Sequence, residues 1–189
     1  MTETQMALNG LKPEEQPHFK FKLNLKSTTL KKLKSDLITA LAAKLTTSVQ
    51  QSNKAQTAEL VKLYGKLGIE DKPRNIFLDL QTDRLENLTS NLRFEIDLSN
   101  YINQISIIFP HVMYDVTQQY FELFPGASNK VFILEWVNMM VNKFVQLFKN
   151  QLMDLKSTDE VYLSCASLAK SQFEKLGEVG VNVGYLLTI

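Results

Sequence analysis

The residues able to do chemistry are few and scattered. His18 and His111 are the only imidazoles in the chain, and Cys165 is the only thiol. A metal centre or an activated nucleophile needs several such groups at set spacing, and these three stand far apart. Each histidine therefore reads as a satisfied or exposed side chain. Cys165 lies in an apolar helical pattern and reads as a small buried hydrophobe. A lone cysteine excludes an internal disulfide and points to a reducing compartment. Carboxylates stand side by side at Glu14–Glu15, Glu70–Asp71 and Asp159–Glu160, but adjacent acids at helix starts usually answer the helix dipole. No glycine-rich loop is placed to cradle phosphate. Asn87-Leu88-Thr89 spells the glycosylation sequon inside a helical pattern, where it reads as accidental. Trp136 with Met139–Met140 could mark a peptide groove, although their helical spacing suits a core better. The chain is thus read as no enzyme, with no catalytic residue, no cofactor site and no metal site.

Lysine is the one residue type that clusters. Lys20, Lys22, Lys26, Lys31, Lys32 and Lys34 crowd one short segment. Residues 1–75 hold 13 Lys or Arg against 7 Asp or Glu, while residues 76–189 hold 8 against 13. A basic end joined to an acidic end leaves a net charge of +1. The plain reading of the lysines is a solvated surface. The sharper one is an interaction patch for anionic lipid, worth about 1 kcal/mol per lysine held at the surface. That allows at most weak, salt-sensitive attachment, opposed by the acidic half. Nucleic acid is not expected as a partner, since the domain is nearly neutral and carries no known reading motif.

The elements that carry these groups read as helices. Tyr101 to Phe121, "YINQISIIFPHVMYDVTQQYF", is the densest apolar run, and Pro110 sits in its middle. Ile102, Ile105, Ile108, Phe109, Val112, Met113, Val116 and Tyr120 recur every three or four residues, which is one face of a helix. The polar set Asn103, Gln104, His111, Asp115, Thr117 and Gln118 falls largely between them and excludes a lipid-facing span. No window reaches the roughly 18–20 uninterrupted apolar residues of a membrane helix, and the N-terminal residues lack the apolar segment of a signal peptide. Pro110 costs about 3 kcal/mol in a regular helix. A stripe of large side chains worth roughly 1.5–3 kcal/mol each when buried offsets that, so one helix bent or interrupted near Pro110 is predicted.

Elsewhere Leu30, Leu33, Leu37, Ile38, Leu41 and Leu45 form a stripe after the capping residues Ser27–Thr29. Leu60, Val61, Tyr64 and Leu67 form the next, stopped by Gly68. Pro73 sits near the start of a helix carrying Ile76, Phe77, Leu80, Leu85, Leu88 and Leu92. Pro125-Gly126 breaks the chain, and Ser128 or Asn129 caps a central helix apolar around much of its circumference. Ser157 to Glu160 is a capping-box pattern before the last long helix. The final "VNVGYLLTI" reads as a cut-off helical stub. Six substantial helices are expected, several of them long. The fold class is all-α: an elongated helical bundle rod of two stacked antiparallel subdomains. Residues 1–26, where "HFKFKLNL" alternates, are expected to be a linker or flexible segment. Residues 27–95 are the first subdomain and 96–189 the second, truncated one, joined at "RFEID", Arg93 to Asp97.

The stretch from Leu63 to Pro125, then "VFILEWVNMMVNKFVQLFKNQL" and "LAKSQFEKLGEVGVNVGYLL", resembles the C-terminal domain of exocyst component 84. Arg74-Asn75-Ile76-Phe77-Leu78, Leu92-Arg93-Phe94-Glu95 before Asp97-Leu98-Ser99, Glu135-Trp136 and Leu176-Gly177-Glu178-Val179-Gly180 carry the likeness. It runs from about Ser27 to the end, and order and spacing carry it more than any one motif. Lys72-Pro73 and Leu80-Gln81 depart from the small or acidic residues more usual there. The resemblance implies a cullin-repeat-like helical rod of a complex that tethers secretory vesicles to the plasma membrane. It implies a non-enzymatic scaffold, cytoplasmic and peripheral at sites of exocytosis. Its partners would be the other exocyst subunits, with small GTPases or SNARE-related proteins reached through the complex. The family carries a lipid- or GTPase-binding domain and a coiled coil upstream, so this chain would be a fragment.

Overall fold

The computed structural model describes residues 16–90, 92, 98–151 and 160–187. Six α-helices make up nearly all of them: α1 Gln16–Gln50, α2 Lys54–Lys66, α3 Asp71–Ser90, α4 Leu98–Leu123, α5 Lys130–Gln151 and α6 Glu160–Glu174. Short 3-10 turns lie at Ala127–Asn129, Lys175–Val179 and Gly184–Leu186. No strand occurs among the described residues. The chain is an all-α helical bundle.

The first helix corrects one expectation. "HFKFKLNL", read as extended, is helical, because α1 begins at Gln16. Ser27–Thr29 accordingly lie within α1 rather than capping it. Period-two alternation over so few residues is a weak strand signal. A turn already propagating from the next segment adds one hydrogen bond per residue and overrides it. Residues 1–15 lie outside the described part. At about 1.5 Å per residue, the 35 residues of α1 run about 52 Å, whereas the 13 of α2 run about 20 Å.

Tight corners fold α1, α2 and α3 together. Ser52 turns the chain with φ 55°, and the Asn53 side chain caps α2 by accepting from the Gln56 amide at 3.1 Å. Beneath this corner the buried hydroxyls of Ser48 and Thr57 meet at 2.8 Å and share the Asn53 carbonyl. Gly68, in the left-handed region at φ 68°, closes α2 as expected. Its N–H donates to Gly65 O and the Ile69 N–H to Tyr64 O, the paired bonds of a Schellman stop. The Tyr64 hydroxyl reaches back to Ile38 O at 3.3 Å, so α2 runs antiparallel to α1. Pro73 occupies the first turn of α3, where amides have no helical acceptor to lose.

The centre belongs to α4. Ile102, Ile105, Phe109, Val112, Met113, Val116 and Tyr120 are buried, as their spacing predicts, whereas Ile108 is only half-buried and Thr117, expected on the polar face, is buried. The helix runs unbroken through Pro110. It packs against α3, α5, α6 and the turn after α6. Ring pairs fix the directions. Phe77 of α3 meets Tyr120 and Phe124, Phe109 of α4 meets Phe144 of α5, and Phe144 and Phe148 meet Phe173 and Tyr162 of α6. Successive helices are thus antiparallel, and α3 and α5 point the same way. α5 is the one described helix long and apolar enough to cross a membrane. Its apolar residues Ile133, Trp136, Val137, Met140, Val141, Phe144 and Phe148 are instead buried in the bundle. After α6 the chain turns at Gly180, φ 80°, and tucks Val181 and Val183 into the core. The closing segment is a 3-10 turn, as a helical stub would be. The Ser157–Asp159 cap and the Arg93–Asp97 junction lie outside the described residues.

Candidate interaction surface

The residues that might have done chemistry stay apart. His18 lies on α1, its side chain outside the described part. His111 is exposed on α4, with Nε2 3.7 Å from Asp115 Oδ2. Cys165 is buried on α6, its thiol 3.9 Å from Asn103 Oδ1. Among the described residues no three His, Cys, Asp or Glu side chains converge as a metal cluster. Glu14–Glu15 and Asp159 lie outside the described part, Asp71 opens α3 and Glu160 opens α6. Trp136 and Met140 are core, while Met139 faces solvent. Asn87, Leu88 and Thr89 sit on α3, and the Thr89 hydroxyl is turned back onto Leu85 O and Glu86 O.

What the structure does assemble is a line of polar rungs from α3 to α5, reaching past α4. Arg74, buried near the start of α3, donates from Nη1 to Asn129 Oδ1 at 3.0 Å and from Nη2 to Asp71 Oδ1 at 2.5 Å. Its guanidinium carbon lies 3.4 Å from the centre of the Phe132 ring, a cation–π stack. Asn129, expected as a helix cap, is thus Arg74's acceptor, and its carbonyl receives the Tyr120 hydroxyl at 3.0 Å. Burial pushes the Tyr120 phenol up to about 12, and the nearby Arg74 charge moderates that rise. Further along, the Trp136 indole donates to Thr82 Oγ1 at 2.9 Å, and Lys143 pairs with Glu86. Sequence reading picked out Arg74 only through the family likeness, and Trp136 also as a core or groove residue. Helical spacing puts Arg74 on the face of Phe77, Leu78 and Leu85, but an arginine there reads as surface by its type, and nothing local names the partners that bury it.

The predicted basic patch lies on α1. Lys26, Lys31, Lys32 and Lys34 are exposed, and Lys20 and Lys22 lie on the same helix with side chains outside the described part. At roughly 100° per residue, Lys34 is about 40° round from Leu30, Lys31 about 100° and Lys32 about 200°. The lysines encircle α1 rather than forming one basic stripe. The stripe is apolar instead, and part of it corrects the sequence reading. Leu30, Leu33 and Leu37, expected in the core, are 69%, 61% and 48% exposed, whereas Leu41 and Leu45 beyond them are buried. The reason is length: α2 reaches back only to about Ile38, where Tyr64 bonds, and beyond it no other described helix covers α1.

Residues 1–184 match the family model described as exocyst component 84, C-terminal. The chain is 21% identical over 155 residues to the exocyst complex component EXO84 of Cryptococcus neoformans, covering 80% of the chain and 23% of that protein. It is 26% identical over 130 residues to the EXO84 component of Gibberella zeae, covering 69% and 19%. To exocyst complex component 8 of Rattus norvegicus it is 22% identical over 124 residues, covering 65% and 17%. The chain therefore spans less than a quarter of the length of these relatives.

Proposed function

From its place in the exocyst component 84 C-terminal family, to which this chain belongs, we propose that it is a non-enzymatic scaffold domain of the exocyst. It acts in docking secretory vesicles at the plasma membrane through protein–protein contacts along its helices. The observation that carries this reading is the family match across residues 1–184, borne by a bundle whose helices seal one another along their apolar faces. In this reading residues 27–95 and 96–189 are two stacked units of a cullin-repeat-like rod. The domain works in the cytoplasm, at sites of exocytosis. Its direct partners are other exocyst subunits, and small GTPases or SNARE-related proteins are met through the assembled complex. The mechanism is mechanical: helices too long to fold into a ball hold partner surfaces at a set distance.

The test is deletion of this segment from the full-length protein in cells, followed by purification of the complex through another subunit. The expected result is loss of the protein, or of neighbouring subunits, from the purified assembly, with secretory vesicles accumulating. A complex of unchanged composition together with normal secretion refutes the proposal.

A further inference from the structure

The uncovered part of α1 presents a helix-docking seam. Leu30, Leu33 and Leu37 are spaced by three and four residues and fall within about 60° of one another round the helix. The same arc runs on through Leu41 and Leu45. There α2 and α3 pack against α1 and bury it. Going the other way, helical register carries the arc back to positions 23 and 19, with Lys26 interrupting it. One continuous apolar line is thus covered by helices at Leu41 and Leu45 and, among the described residues, bare at Leu30, Leu33 and Leu37.

The charges beside the seam select what covers it. Between Gln16 and Ala40 there are six lysines and one acid, Asp36. Lys34 borders the leucines on one side and Lys26 lies within their arc. A second copy of α1 would set lysine against lysine in either orientation, and like charges at such borders oppose pairing. An anionic bilayer fits less well. An interfacial helix buries a wide apolar face and gathers its cations on the other, whereas this seam is about 60° wide and its lysines surround the helix. We propose that residues 26–37 dock an amphipathic partner helix whose apolar seam is bordered by Glu or Asp. The two form a coiled coil that continues the packing already made by α2 and α3. This deepens the scaffold reading, and rests on it for the partner's setting; the surface chemistry is carried by the exposed leucines and lysines alone.

The test uses the whole chain and two synthetic helical peptides of about four heptads. Both have leucine at the seam positions; one has glutamate at the flanks and the other lysine. By fluorescence anisotropy the glutamate peptide is expected to bind at least about tenfold more tightly than the lysine peptide, with the gap narrowing as salt rises. Leu30→Glu with Leu33→Glu should weaken glutamate-peptide binding by about a hundredfold or more. Both leucines are exposed, so the helical circular dichroism and melting temperature should hold. Lys26→Glu with Lys34→Glu leaves the leucines in place and should invert the peptide preference, which a general loss of folding would not do. Equal binding of both peptides, or indifference to the leucine substitutions, overturns the inference. So does leucine-dependent flotation on phosphatidylserine vesicles without peptide binding, or a leucine-dependent dimer in gel filtration with light scattering. None of these results depends on whether the domain is needed for exocyst assembly, so the two proposals fail separately.

Discussion

Arg74→Ala should be among the most damaging single changes at a polar residue, and its size follows from what the guanidinium touches. The pair with Asp71 counts for little, because the Asp71 side chain is 83% exposed and solvent screens it. The bond to Asn129 Oδ1 is made by a buried charged donor and is worth about 1.5–3 kcal/mol. The stack on Phe132 adds about 1–2 kcal/mol where it is shielded from water. Against these stands Nε, buried without a hydrogen-bond partner among the described residues, a penalty of about 1–3 kcal/mol. The balance predicts a loss of about 2–3 kcal/mol for Arg74→Ala, since truncation also empties the space over Phe132. Arg74→Met separates packing from charge. It fills the space and removes both the buried charge and the orphaned Nε, so it should cost about 1 kcal/mol, set by the donor that Asn129 loses. Arg74→Lys keeps the charge but not the planar fork, and should fall between them. Urea unfolding followed by circular dichroism reads all three. An order in which Met is worse than Ala, or an alanine loss under about 0.5 kcal/mol, would refute the assignment of this residue as a packed polar clasp.

Three further outcomes are expected. Ser52→Gly should stabilise by about 0.5–1 kcal/mol in thermal or urea melts, because Ser52 holds φ 55° where glycine carries no Cβ penalty. Phe144→Ala should cost about 3–5 kcal/mol, since its ring packs on Phe109, Phe148 and Phe173 and truncation leaves a cavity. A cost below about 1 kcal/mol would mean that this is not the centre of the core. Tyr120 gives a pH signature. Its phenol is raised from 10.0 to about 12 in the folded chain, so the folded state holds its proton longer than the unfolded one. Its contribution to stability is complete below about pH 10 and disappears as pH rises towards about 12. Tyr120→Phe should therefore be less stable near neutrality, through the lost bond to Asn129 O, but should decline less steeply across that alkaline window in urea melts.

How much of this was legible in the sequence depends on which forces are local. The α4 face from Ile102 to Tyr120 could be read directly, because its burial follows from spacing on one helix. Gly68 could be read as a stop for the same reason: the left-handed residue and the two bonds it makes lie within a few positions. Leu30, Leu33 and Leu37 show where local pattern gives out. They carry the same spacing as Leu41 and Leu45, and only the reach of α2 decides which leucines are covered. The six lysines likewise look like a patch when counted along the chain and turn into a ring once placed on a helix. Arg74 was hidden for a third reason. Its burial depends on Asn129 and Phe132, more than fifty residues away, and no periodicity reports a partner at that distance.

The rungs from α3 to α5 have a mechanical consequence. Arg74, Thr82 and Glu86 are spread along α3 and meet, in the same order, Asn129 just before α5 and Trp136 and Lys143 along it, and α5 points the same way. Tension drawn along the bundle axis shears these links simultaneously, whereas a sideways peel would snap them in turn. The bundle is thus cross-braced against a lengthwise pull.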